Sequence, residues 1–158
     1  MATPSTSNRL VILWQRCGRL PGGQWLFSRI LGHRVPYSGT IKARVEELAP
    51  GYCKARIADR RRVRNHLESI HAIALANLGE LATGLAMMAA LPATARGIPT
   101  EITVEFLKKA RGDIVAEAHC TVPDTSEQHE HAVEARLKDD AGDLVARFKA
   151  RWVVGPRN

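Results

Sequence analysis

Aromatic residues make up only 5% of this 158-residue chain, and its three cysteines, Cys17, Cys53 and Cys120, are odd in number, far apart and outside any C-x-x-C pairing. That cysteine usage indicates neither a disulfide framework nor a zinc knuckle, and it fits a reducing cytoplasm. No stretch approaches the roughly 20 uninterrupted apolar residues of a membrane-spanning helix. The apolar run Leu10–Trp14 is too short for a signal-peptide core with a cleavage site behind it, so a soluble, unexported protein is expected. No G-x-S-x-G elbow, P-loop or dinucleotide fingerprint occurs. His66-Leu67-Glu68 has the H-x-E form of zinc deaminases but lacks the accompanying P-C-x-x-C, and His129 and His131 have no third ligand beside them, so no metal is expected.

What is present is enough for one compact core, since 45% of the residues are hydrophobic. Lysine and arginine total 23 against 16 acidic residues, a net charge of +7 that favours a polyanionic partner: nucleic acid, an anionic membrane surface or a phosphate-bearing small molecule. Much of the charge is local. Arg60, Arg61, Arg62 and Arg64 crowd one segment and Lys108, Lys109 and Arg111 another. With few aromatics and no recognition module, neither nucleic acid nor a membrane is the expected partner.

The hydrophobic period divides the chain. Residues Ala2 to Asn8 are small and polar and are expected to be loosely attached. Leu10, Leu13, Trp14, Trp25, Leu26 and Ile30 suggest two short helices broken by Pro21-Gly22-Gly23, so residues 1–37 form a helical covering segment on a single domain spanning 38–158. After Gly39 the period becomes two: Ile41, Ala43 and Val45 form one strand, Cys53, Ala55 and Ile57 a second, with Pro50-Gly51 turning between them. The run from Ile70 to Leu91 is rich in Ala, Leu and Met, poor in β-branched residues and stopped by Pro92, which argues one helix, too apolar to lie on a surface. Within it, Met87-Met88 reads as core filling. Four further strands alternate around Ile102/Val104/Phe106, Ile114/Ala116/Ala118, Val133/Ala135/Leu137 and Leu144/Ala146/Phe148/Ala150/Trp152. Arg111-Gly112-Asp113 and Asp139-Asp140-Ala141-Gly142 are read as hairpin turns between them.

A helix that is apolar on every side must be wrapped, and a strongly curved antiparallel sheet is the only other material here. The class is therefore α+β, with the edge strands needing a partner subunit to cover them. Glu80 is the helix's sole ionisable side chain after His71, and a lone carboxylate is costly to bury. Desolvation would raise its pKa and make it a better base near neutral pH.

Asn65, His71 and Glu80 match, in type and spacing, the motif of hotdog-fold thioesterases of the phenylacetate-pathway and four-hydroxybenzoyl-CoA type, and the chain resembles that family over residues 38–154. It departs from the family where Ala72-Ile73 replaces a Gly-Gly pair and Glu80 stands for the more usual aspartate, and it looks closest to an uncharacterised thioesterase-like branch. The resemblance implies a hotdog fold, hydrolysis of an acyl-CoA thioester, and a site at the interface of a homodimer or dimer of dimers. Coenzyme A would enter only as part of the substrate, with no separate cofactor.

The residues are chemically consistent with this. A thioester carbonyl over the helix N-terminus would meet free amides, that of Ala72 first, and the positive end of the helix dipole. Glu80 lies nine residues past His71, about 13.5 Å along the axis, so a neighbouring subunit would supply the acid. Glu80 would activate water or attack directly, Asn65 would hold the water or carbonyl, and the two basic clusters would grip the phosphates of coenzyme A. The alternatives are an acyl-CoA or acyl-lipid binding protein without catalysis and, from another class, a basic nucleic-acid-binding protein. A hotdog dehydratase would carry a His-Phe-Pro motif that is absent.

Overall fold

The computed structural model describes residues 8–121 and 127–157. Three helices lead in: α1 (Arg9–Gly18), α2 (Gly23–Arg34) and the single turn α3 (Pro36–Gly39). Strands β1 (Arg44–Ala49) and β2 (Tyr52–Ile57) precede the long helix α4 (Ala72–Ala90). Four strands follow: β3 (Ala95–Phe106), β4 (Ile114–His119), β5 (His129–Lys138) and β6 (Leu144–Pro156). They form one antiparallel sheet in the order β1-β2-β4-β5-β6-β3, curled around α4.

The order of two strands, one buried helix and four strands is the expected one. The long helix would be long and apolar enough to cross a membrane despite Asn77, Glu80 and Thr83, and here 67% of its most apolar stretch is buried inside the fold. Leu75, Leu78, Ala82, Leu85 and Met87 pack against the inward-facing Ala55, Ala116, Ala135 and Phe148 of the sheet. The small strand residues let the helix sit close. Closest approach is at Gly79, where a Cβ would lie 2.5 Å from the Phe148 side chain, so any larger residue forces the ring or the helix to move.

Three expectations need correction. Arg111-Gly112-Asp113 is not a hairpin turn, because β3 pairs with β6 and β4 with β2, and this segment crosses between them. Its Gly112 does adopt a left-handed φ of 74°, which is the local turn signal the sequence carries. The first strand begins at Arg44, later than expected, and a bulge between Val45 and Glu47 changes the phase, so that Val45 and Leu48 are the buried positions. Met88, unlike the buried Met87, is 41% exposed and does not fill the core.

Of the stretch expected to be loose, residues 2–7 lie outside the described residues, whereas Asn8 is firmly engaged. Its Oδ1 caps α1 by accepting from the Leu10 amide at 2.9 Å, and its Nδ2 donates to the carbonyls of Met88 and Leu91 at 2.7 and 2.8 Å. One side chain thus starts α1 and ties it to the C-terminal end of α4.

The two sheet edges differ. The β1 edge is closed by the chain's own α2: the Ser28 hydroxyl accepts from the Val45 amide at 2.9 Å, and Gln24 Nε2 donates to the Glu46 carbonyl at 2.8 Å. Among the described residues no strand pairs with the outer edge of β3. Ile102 and Phe106 pair with Ala150 and Ala146 on the helix-facing side of the sheet, yet they are 53% and 51% exposed.

Candidate active site

Glu80 is half-buried in the middle of α4, and loss of solvent pushes its carboxyl pKa up. The buried Ser38 hydroxyl, brought in by α3, hydrogen-bonds the carboxylate and offsets part of that rise. One turn earlier, the buried Asn77 donates from Nδ2 to the Tyr37 carbonyl at 3.3 Å, pinning α3 beside the acid, while its Oδ1 has no partner among the described residues. Sequence reading singled out Glu80 but missed both companions. Asn77 carried a signal, being three residues from Glu80 and so on the same helix face. Ser38 carried none, because its approach depends on how α3 docks.

The carboxylate opens onto a cavity of about 780 Å³ between α4 and the lead-in helices, lined among others by Leu13, Ile30, Leu85, Met88 and Trp152. The lead-in segment is thus more than a cover, since it builds one wall of the space that Glu80 faces.

The helix mouth lies at the other end. His71 is the N-cap of α4, its Nδ1 accepting from the Ile73 amide at 3.1 Å, which in the neutral ring leaves the Nε2 proton facing out. Ala72, the first helical residue, is exposed. Asn65 sits in the loop before it. Its Oδ1 accepts from the Leu67 amide at 2.9 Å and from the amide and hydroxyl of Ser69, both at 3.2 Å, so that oxygen organises the loop and only Nδ2 is left for a substrate.

The fold brings the two basic clusters together beside this mouth. The Ile70 amide donates to the Ala110 carbonyl at 2.9 Å, and Asp59 is tied to the other segment by accepting from the Gly112 amide at 3.2 Å. Within the clusters, Arg64 pairs with Asp59 at 2.6 Å, Arg60 donates to the Ile41 carbonyl, and Lys108 bridges Asp139 and Asp143 at 3.0 and 2.5 Å. Arg61, Arg62, Lys109 and Arg111 are exposed and form no ion pair among the described residues. These four are therefore the side chains best placed to meet an anion.

Asn65, His71, Ala72 and the basic clusters thus share one end of α4. Glu80 is not brought to them within a protomer, being nine residues along the same helix, about 13.5 Å. A cysteine nucleophile is disfavoured by burial, which pushes the Cys53 thiol up to about 12 and that of Cys120 up to about 11. His129 and His131 stand with rings 6.1 Å apart on β5, and no group of three metal-binding side chains occurs among the described residues.

A family model described as a domain of unknown function, DUF4442, matches residues 23–154. No curated protein matches the chain. Among solved structures, a structural-genomics protein is 33% identical with a TM-score of 0.81, the match covering 94% of this chain and 99% of that one. A Pseudomonas aeruginosa protein, described as being of unknown function and a probable thioesterase, is 26% identical with a TM-score of 0.76 over 87% of this chain and 97% of its own. A thioesterase family protein from Silicibacter pomeroyi is 21% identical with a TM-score of 0.69, over 82% and 96% respectively, and supports the fold. This chain belongs to the DUF4442 family, a branch of the hotdog-fold thioesterase superfamily.

Proposed function

We propose that this protein hydrolyses acyl-CoA thioesters, with Glu80 as general base in a site shared between two subunits. The observation that carries the reading is a half-buried carboxylate of raised pKa, alone on an apolar helix and opening onto an apolar cavity. A structural relative described as a probable thioesterase supports the same chemistry.

In this mechanism the thioester carbonyl lies against the Ala72 amide at the mouth of one helix, with Asn65 Nδ2 and the His71 Nε2 proton as further donors. Glu80 of a neighbouring subunit takes a proton from water, whose oxygen attacks the carbonyl carbon. The tetrahedral intermediate collapses with cleavage of the C–S bond, and the thiolate leaves with the proton returned from Glu80, giving a free acid and coenzyme A thiol. Arg61, Arg62, Lys109 and Arg111 would hold the phosphates. The exposed apolar side of β3 supports a seat for the second copy, because an open edge lined by Ile102 and Phe106 asks to be paired.

The test is release of free thiol from a panel of acyl-CoA thioesters by the purified protein. Turnover of at least one member is expected. Tight binding of acyl-CoA without any thiol release would replace this reading with the non-catalytic one, which the exposed Ile73 at the mouth, in place of a glycine, would then explain.

A further inference from the structure

We propose that the cavity between α1, α2 and α4 seats a straight aliphatic acyl chain of about twelve carbons, which makes medium- to long-chain acyl thioesters the substrate class. This rests on the hydrolase reading for the reaction but not for the binding. The cavity, at about 780 Å³, is the size of a small-molecule site, and such sites are mostly apolar with a few placed polar groups. Glu80, Gly84, Met88 and Leu91 mark its wall along α4. From the first to the last is eleven residues, about 16 Å at the helical rise. A zigzag chain with carbon–carbon bonds near 1.5 Å advances about 1.3 Å per methylene, so about twelve carbons span that wall.

The opposite wall suits a flexible tail better than a ring. Leu10 and Leu13 of α1 and Ile30 and Leu31 of α2 are aliphatic, and the aromatic liners, Phe27 and Trp152, are both buried. The wall is also anchored, because Asn8 holds the start of α1 to the carbonyls of Met88 and Leu91. Among the described residues Glu80 is the cavity's sole acidic liner, whereas Arg9, Arg34 and Arg157 stand around it, exposed. That charge pattern complements an apolar tail delivered on an anionic carrier. Met88, 41% exposed yet lining the cavity, stands about one turn before its Leu91 end, where a change in side-chain size would alter how far a tail can run.

The experiment is displacement of a fluorescent fatty-acid probe by dodecanoate on the full-length protein, together with turnover of dodecanoyl-CoA relative to butanoyl-CoA. Met88→Trp is expected to weaken dodecanoate and to lower the dodecanoyl to butanoyl ratio, each by about tenfold or more, the scale on which a pocket discriminates methylenes. Met88→Ala should move the optimum the other way, toward tetradecanoyl-CoA, which keeps the test decisive if the tryptophan variant folds poorly. Failure of dodecanoate to displace the probe from wild type, or the same affinity and ratio in both Met88 variants as in wild type, overturns the proposal. Met88-dependent binding of dodecanoate with no thioester hydrolysis would leave the pocket standing and remove the hydrolase reading. Hydrolysis insensitive to chain length and to Met88 would do the reverse.

Discussion

Replacing Glu80 with glutamine is expected to lower kcat for acyl-CoA hydrolysis by about a hundred- to ten-thousandfold, the contribution of a positioned general base, with a far smaller change in KM. Glutamine keeps the size of the side chain and can still meet the Ser38 hydroxyl, so the loss would report the missing base and not a collapsed cavity. The same variant should be more stable than wild type at neutral pH. The sign follows from the raised folded-state pKa of Glu80: the native protein binds this proton more tightly than the unfolded chain does, so the carboxyl loses native stability as pH rises from its ordinary value through its folded one. The gain in melting temperature should therefore be present at neutral pH and fade as the solution is acidified below the ordinary carboxylate range. A half-buried carboxylate kept at some cost to native stability would be the exchange of stability for activity expected of a catalytic base. Undiminished hydrolysis by the glutamine variant would remove Glu80 from the mechanism.

Ile102→Lys is expected to convert a dimer into a monomer and to abolish hydrolysis to about the extent of removing the base itself, since the acid and the helix mouth would no longer meet. The two sheet edges differ in what covers them. Side chains of α2 satisfy the backbone of β1, whereas β3 ends the sheet with a row of apolar side chains turned to the inner face and left in solvent. A lysine among them would have to be desolvated to form the interface. Thr103→Lys, whose position pairs with Lys149 on the outer face, is the matched control and should remain a dimer in light scattering. A fully active monomer carrying Ile102→Lys would show that one subunit suffices.

The architecture was legible because its two periods are clean. An apolar run without β-branched crowding, stopped by Pro92, could only be a wrapped helix, and the alternation of Cys53, Ala55 and Ile57 or Val133, Ala135 and Leu137 marks strands with one buried face. What the sequence concealed is long-range. The bulge at Glu46 breaks strict alternation between Val45 and Leu48, and the crossover after β3 looks like a hairpin because Gly112 makes a real local turn. The acid was legible as a single charge in an oily segment. Its surroundings were not, since Ser38 lies far from Glu80 in sequence, and the cavity exists only because α1 and α2 dock against α4. The basic clusters were visible as composition, but which of their members are already engaged, as Arg64 is with Asp59 and Lys108 with Asp139, needed coordinates.

The pH dependence of kcat/KM on the best acyl-CoA substrate, followed from about pH 4 to about pH 9, tests most directly whether a buried carboxylate drives the reaction. The rate should climb with pH along a single ionisation lying above the 4.5 of an ordinary glutamate, and then level off. A profile that is flat through that range, or one that rises only at the ordinary value, would contradict the assignment of Glu80 as a desolvated base.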